Sequence, residues 1–114
     1  MNRAASGLSP VDFESVSDLF AVLADPTRLM ILYLLKQGSA YVAEIVERTG
    51  LKQPNVSKHL AMLYDARLVS RERNGNQILY SIGDPLVFDL CNLVCDKLHR
   101  AAKSQAQLLR KVGA

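Results

Sequence analysis

The chain has 114 residues, 49% of them hydrophobic and 22% charged, with a formal net charge of +3. These totals fit one small soluble domain and leave no room for a second; a chain this short gains stability by hiding more apolar surface in a homodimer. No apolar run reaches the roughly 18 residues needed to cross a bilayer, and the first residues lack the order of a secretory signal, so a cytoplasmic location without membrane contact is expected.

Residues 1–8 are small and polar without a period and are predicted to be a flexible tail, leaving residues 9–114 as the domain. Ser9-Pro10 reads as a helix cap followed by proline in the first turn, and Phe13, Val16, Phe20 and Leu23 then recur at helical spacing. Asp25-Pro26 repeats the signal and opens a second helix to about Lys36, with Leu29, Ile31, Leu32 and Leu35 as its buried stripe. From Tyr41, the residues Val42, Ile45 and Val46 predict a short helix that stops at Gly50. Leu51 enters the core, and after Lys52 and Gln53 a fourth helix opens around Pro54, with Val56, Leu60, Met62 and Leu63 facing inward.

After Ala66-Arg67 the pattern changes to alternation. Residues 68–73 and 77–82 read as two strands joined at Asn74-Gly75-Asn76, a tight-hairpin signature. Asp84-Pro85 then caps a last helix that runs to about Val112. The expected fold is mainly α with a two-stranded β wing: a winged helix-turn-helix in the order α-α-α-α-β-β-α, homodimeric.

This layout suits DNA. A helix fits the roughly 12 Å major groove, where amide and cationic side chains near its N-terminus meet base edges. Gln53 and Asn55 can pair with adenine, Lys58 can reach guanine, and Ser57 or His59 can serve bases or phosphates. On the wing, Arg71, Arg73, Asn74, Asn76 and Gln77 are candidates for the backbone or the adjacent minor groove. Between Leu51 and Ile82 there are five basic residues against two acidic ones, with nine of each elsewhere, so the whole positive excess sits in this stretch.

The segments Leu23-Ala24-Asp25-Pro26-Thr27-Arg28-Leu29-Met30-Ile31-Leu32 and Thr49-Gly50-Leu51-Lys52-Gln53-Pro54-Asn55-Val56-Ser57-Lys58-His59-Leu60 resemble the ArsR/SmtB repressors of metal and stress responses. So do Gly75-Asn76-Gln77 before Ile78-Leu79-Tyr80, and the closing helix. The resemblance implies a homodimeric repressor that binds an operator of two inverted half-sites, releases it to an inducer, and reads bases with Gln53, Asn55, Ser57, Lys58 and His59. Many members carry serine where Lys52 stands; Lys52 is therefore expected to meet a phosphate, with the helix capped from elsewhere.

On the last helix Val87, Val94, Ala101 and Leu108 recur every seven residues, beside a second series of Cys91, Leu98, Gln105 and Val112. This coiled-coil-like seam places Val87, Cys91, Val94, Leu98 and Ala101 at the dimer interface. The resemblance implies, for the zinc and cobalt sensors, an Asp-His-His-Glu/His set near this helix; the corresponding positions are Asp84, Leu86, Lys97 and Arg100, so no zinc site of that type is expected. Cys91 and Cys95, one turn apart, leave two readings open: plain packing, or a sensor that holds a soft metal or metalloid ion or undergoes thiol modification. His99 continues their stripe but lies about 12 Å along the axis from Cys91 and cannot share its ion. No nucleophile, base and orienting group cluster in the sequence, and no glycine loop cradles phosphate, so catalysis is not expected. The alternatives are a winged helix used as a protein-interaction module, and a regulator of this type answering a non-metal signal.

Overall fold

The computed structural model describes residues 9–113. The tail expected over residues 1–8 lies outside them, as does the Val112 side chain. The chain divides into two compact units between Asp84 and Pro85.

The first unit opens with α1 (Pro10–Leu23) and α2 (Pro26–Gln37). Both start as their sequences predict. Ser9 Oγ accepts from the Asp12 amide at 3.3 Å, and the Asp12 carboxylate accepts from the Ser9 amide at 2.9 Å, a reciprocal capping box. Asp25 Oδ1 accepts from the Arg28 amide at 3.0 Å. The bonds from these amides hold the Asp12 and Asp25 carboxyls below the usual carboxylate range.

A two-residue strand, β1 (Ala40–Tyr41), precedes α3 (Val42–Thr49) and α4 (Gln53–Asp65). The hairpin β2 (Val69–Asn74) and β3 (Gln77–Ile82) completes the unit. The sheet is three-stranded and antiparallel in the order β1-β3-β2, with Ala40 opposite Tyr80 and Tyr41 opposite Leu79. Two residues are too few for alternation to register in a sequence, which is why the wing was expected to have only two strands.

The core is built from Ile31, Leu32 and Leu35 of α2, Ile45 of α3, Val56, Leu60 and Leu63 of α4, and Leu68, Val69 and Tyr80 at the sheet. Each large aliphatic among them contributes roughly 1.5 to 3 kcal/mol by leaving water. Two expectations are corrected. Leu29 is exposed and Leu34 takes its place in the buried set, because the buried face of α2 runs through positions 28, 31, 32 and 35. Met62 sits at the edge of the core, partly exposed. On α1 the apolar stripe Phe13, Val16 and Phe20 faces outward in the single chain.

The junction from α4 into the wing is a Schellman motif. The Leu68 amide donates to the Leu63 carbonyl at 3.0 Å and the Arg67 amide to the Tyr64 carbonyl at 2.9 Å. Arg67 occupies the left-handed position that glycine usually takes, at φ 62°. At the far end of the hairpin, the Gly83 amide donates to the Leu68 carbonyl at 3.0 Å. A Cβ on Gly83 would lie 2.8 Å from the Val69 carbonyl carbon, so only glycine permits this approach.

The second unit is one helix, α5 (Leu86–Gly113). Leu93, Val94, Leu98, Leu108 and Leu109 are all more than half exposed on it.

Candidate nucleic-acid interface

Between α3 and α4 the chain turns in three residues, 50–52. Gly50 makes the turn: its φ of 73° is left-handed, and its amide donates to the Val46 carbonyl at 2.9 Å. Thr49 Oγ1 donates to the Ile45 carbonyl at 2.7 Å and accepts from the Leu51 amide at 3.2 Å, closing the corner from both sides. This is the helix-turn-helix.

Lys52 stands at the N-cap of α4, and its side chain makes no capping bond. Its carbonyl accepts from the Asn55 and Val56 amides, at 3.0 and 3.1 Å. Pro54 in the first turn has no amide to satisfy. With no carboxylate in that turn either, the positive end of the helix dipole is left uncompensated by the chain's own side chains.

Helical spacing then sorts the residues of α4. Val56, Leu60 and Leu63 are fully buried, whereas Lys52, Gln53, Asn55, Ser57 and Lys58 are exposed. The expected polar face thus stands in solvent with two cationic groups, two amides and one hydroxyl, and an apolar floor beneath it.

His59 departs from that set. It is half-buried, and its Nδ1 lies 3.2 Å from Arg28 Nη1. Guanidinium groups only donate, so in this bond Arg28 Nη1 is the donor and His59 Nδ1 the acceptor. Arg28 is itself 8% exposed. A charged residue in register with Ile31, Leu32 and Leu35 is the signal in the sequence for such a buried group, which requires partners.

Two residues of the wing make contacts with other elements of the fold. Arg71 lies over the Tyr64 ring of α4, 3.8 Å from its centroid, and the Tyr80 hydroxyl pushes the guanidinium further up from its already high range. Asn74 Nδ2 donates to the Tyr41 hydroxyl at 2.8 Å, tying β2 to β1 across the sheet. Both were expected to face DNA; both make these contacts while remaining exposed. Arg73, Asn76 and Gln77 are exposed at the tip. Gly75 has φ 68° and Asn76 does not share that sign, the pattern of a type II′ turn between the paired residues Asn74 and Gln77.

On α5, Cys91 is a half-buried free thiol and Cys95 an exposed one, while His99 is exposed. Among the described residues, no group of three or more His, Cys, Asp or Glu side chains is placed to hold a metal ion. Of the expected interface residues, Val94, Leu98 and Ala101 are exposed. Val87 is 1% exposed in the single chain. No helix is long and apolar enough to cross a membrane among the described residues.

The family profile "Bacterial regulatory protein, arsR family" matches residues 25–71, from the cap of α2 to the start of the wing. The "Probable mercury resistance operon repressor" of Streptomyces lividans is 45% identical over 80 residues, 70% of this chain and 64% of that protein. The chain thus spans less than two thirds of that relative. "Transcriptional repressor SdpR" of Bacillus subtilis is 32% identical over 85 residues, 75% of this chain and 94% of that protein. Among solved structures, the homodimeric winged helix-turn-helix DNA-binding domain of a Mycobacterium bovis protein is similar with a TM-score of 0.69 and 32% identity, covering 80% of this chain and 90% of that one.

Proposed function

Because the chain belongs to the ArsR family of bacterial regulatory proteins, we propose that it is a DNA-binding transcriptional repressor acting as a homodimer on an inverted-repeat operator. The observation that carries this reading is the face of α4: Gln53, Asn55, Ser57 and Lys58 exposed over a floor of buried Val56, Leu60 and Leu63. Asn55 and Gln53 offer the paired donor and acceptor that adenine presents to the major groove, and Lys58 offers a cation for guanine O6 and N7. Lys52 and the uncapped helix start favour a phosphate. At the wing tip Arg73, Asn76 and Gln77 face the backbone or the minor groove, and Arg71 and Asn74 hold the hairpin in place for them.

Two apolar surfaces support self-association. Phe13, Val16 and Phe20 form one on α1; Val94 and Leu98, with Ala101 and the half-buried Cys91, form the other on α5. Stripes of this size are expensive to leave in water, and they become the dimer interface. Cys91 and Cys95 are one helical turn apart with free thiols and are the candidate inducer site, for a soft metal ion, a metalloid or a thiol oxidant.

Binding to the DNA upstream of the chain's own gene tests the reading. A retarded complex that survives excess scrambled duplex is expected. Lys58→Ala and Asn55→Ala should each cost that complex about 1 to 3 kcal/mol, while Arg73→Ala should weaken all sequences alike and lower the salt slope by about one. Equal affinity for scrambled DNA would overturn the assignment.

A further inference from the structure

Arg28 is the only buried charged side chain among the described residues, and each of its side-chain nitrogens has a partner. Nε donates to the Val22 carbonyl at 2.6 Å and Nη2 to the Ala21 carbonyl at 3.3 Å, both in the last turn of α1. Nη1 donates to His59 Nδ1 at 3.2 Å and to Met62 Sδ at 3.4 Å, both in the middle of α4. Asp25 Oδ2 stands 3.8 Å from Nη1 and balances the charge. One planar fork thus joins the end of α1, the start of α2 and the inner face of α4.

We propose that Arg28 and His59 are positioning residues for DNA reading: Arg28 grips His59 through Nδ1 and so sets the rotation of α4 about its own axis. His59 directly follows Ser57 and Lys58 and lies one turn beyond Asn55, so a rotation of α4 that moves the His59 ring moves the reading face with it. The geometry leaves little slack. A side-chain tip roughly 5 Å from the axis moves by nearly 2 Å when the helix rotates by about 20°, well outside the window of a hydrogen bond to a base. The apolar floor of α4 resists rotation through packing alone, which has no preferred direction, and a fork bonded to the α1 carbonyls at one end and a ring nitrogen at the other adds a directional restraint.

This inference rests on the proposed DNA reading, and its test uses the geometry of the ring. In asparagine, Oδ1 occupies the place of His59 Nδ1; in glutamine, the terminal amide reaches the place of Nε2. His59→Asn, His59→Gln, His59→Leu and Arg28→Lys are compared with the wild-type chain on one duplex enriched by that chain from a randomised library and on a scrambled duplex. Melting curves fix an assay temperature at which every variant used is folded. His59→Asn is expected to keep the preference for the enriched duplex within about threefold, and His59→Gln and His59→Leu to lose roughly tenfold of it, with little change on scrambled DNA. Arg28→Lys, whose single ammonium cannot reach the α1 carbonyls and the α4 groups at once, should lose at least as much. Retention by His59→Gln with loss by His59→Asn would overturn the proposal, because the ring would then act through Nε2 on the DNA. Equal losses on both duplexes would also overturn it, since a backbone contact or a general fault of folding acts on all sequences. If the wild-type chain enriches no duplex, the DNA reading itself fails, a result separate from any of these.

Discussion

Replacing Phe20 by serine should split the proposed dimer without harming the protomer. Phe13 and Phe20 each leave 59% of their surface exposed in the single chain. A phenylalanine covers about 200 Å², so each ring presents roughly 120 Å², worth about 3 kcal/mol if fully covered. The substitution enters twice in a symmetric pair, for an upper bound of about 6 kcal/mol. Interfaces cover only part of such a ring, and about half that figure, roughly 3 kcal/mol, is the working expectation, a rise of about 100-fold in the dimer Kd. Sedimentation velocity across a concentration series reads this directly, and the folded protomer should lose less than about 0.5 kcal/mol because the ring is not in its core. An unchanged Kd would refute the reasoning, and the α1 stripe would then need another occupant.

Four further outcomes follow from local geometry. Arg67→Gly should raise stability by about 1 kcal/mol in chemical unfolding, because the left-handed φ of 62° strains any residue with a Cβ. Gly83→Ala should cost about 1 to 3 kcal/mol, since its Cβ would meet the Val69 and Ser70 backbone at 2.8 and 3.0 Å and shift the wing. The stabilisation from Asp12 and Asp25, whose carboxyls are held below their ordinary 3.8, is fully present above that value and is lost as the pH falls through the lowered folded values. Asp25→Asn keeps a capping oxygen but should flatten its share of that acid dependence in melting curves. If Cys91 and Cys95 sense the inducer, the Cys91→Ser/Cys95→Ser chain should stay on DNA when arsenite, mercuric ion or polysulfide releases the wild-type chain; equal release would assign the thiols to packing.

Local chemistry made much of the fold legible. Ser9-Pro10 and Asp25-Pro26 announce helix starts because an oxygen acceptor followed by proline satisfies the first turn, and both helices begin there. Gly50 and Gly75 mark turns because each position requires a positive φ, and both adopt one. The buried residues Val56, Leu60 and Leu63 follow from a period of 3.6, and the same period places Gln53, Asn55, Ser57 and Lys58 outside.

The sequence could not settle partnerships across the chain. Arg71 and Asn74 are exposed wing groups, and only the fold brings Tyr64 and Tyr41 beside them. His59 looked like one more polar residue on the reading face until Arg28, thirty-one positions earlier, closed on its ring. Periodicity and caps are set by neighbours within a turn, so the sequence alone determines the helices, the hairpin and the polar face of α4. The partner of a long side chain is decided by which elements pack together, and only the tertiary structure could turn Arg28 from a charge in an apolar stripe into the link between α1 and the helix proposed to read DNA.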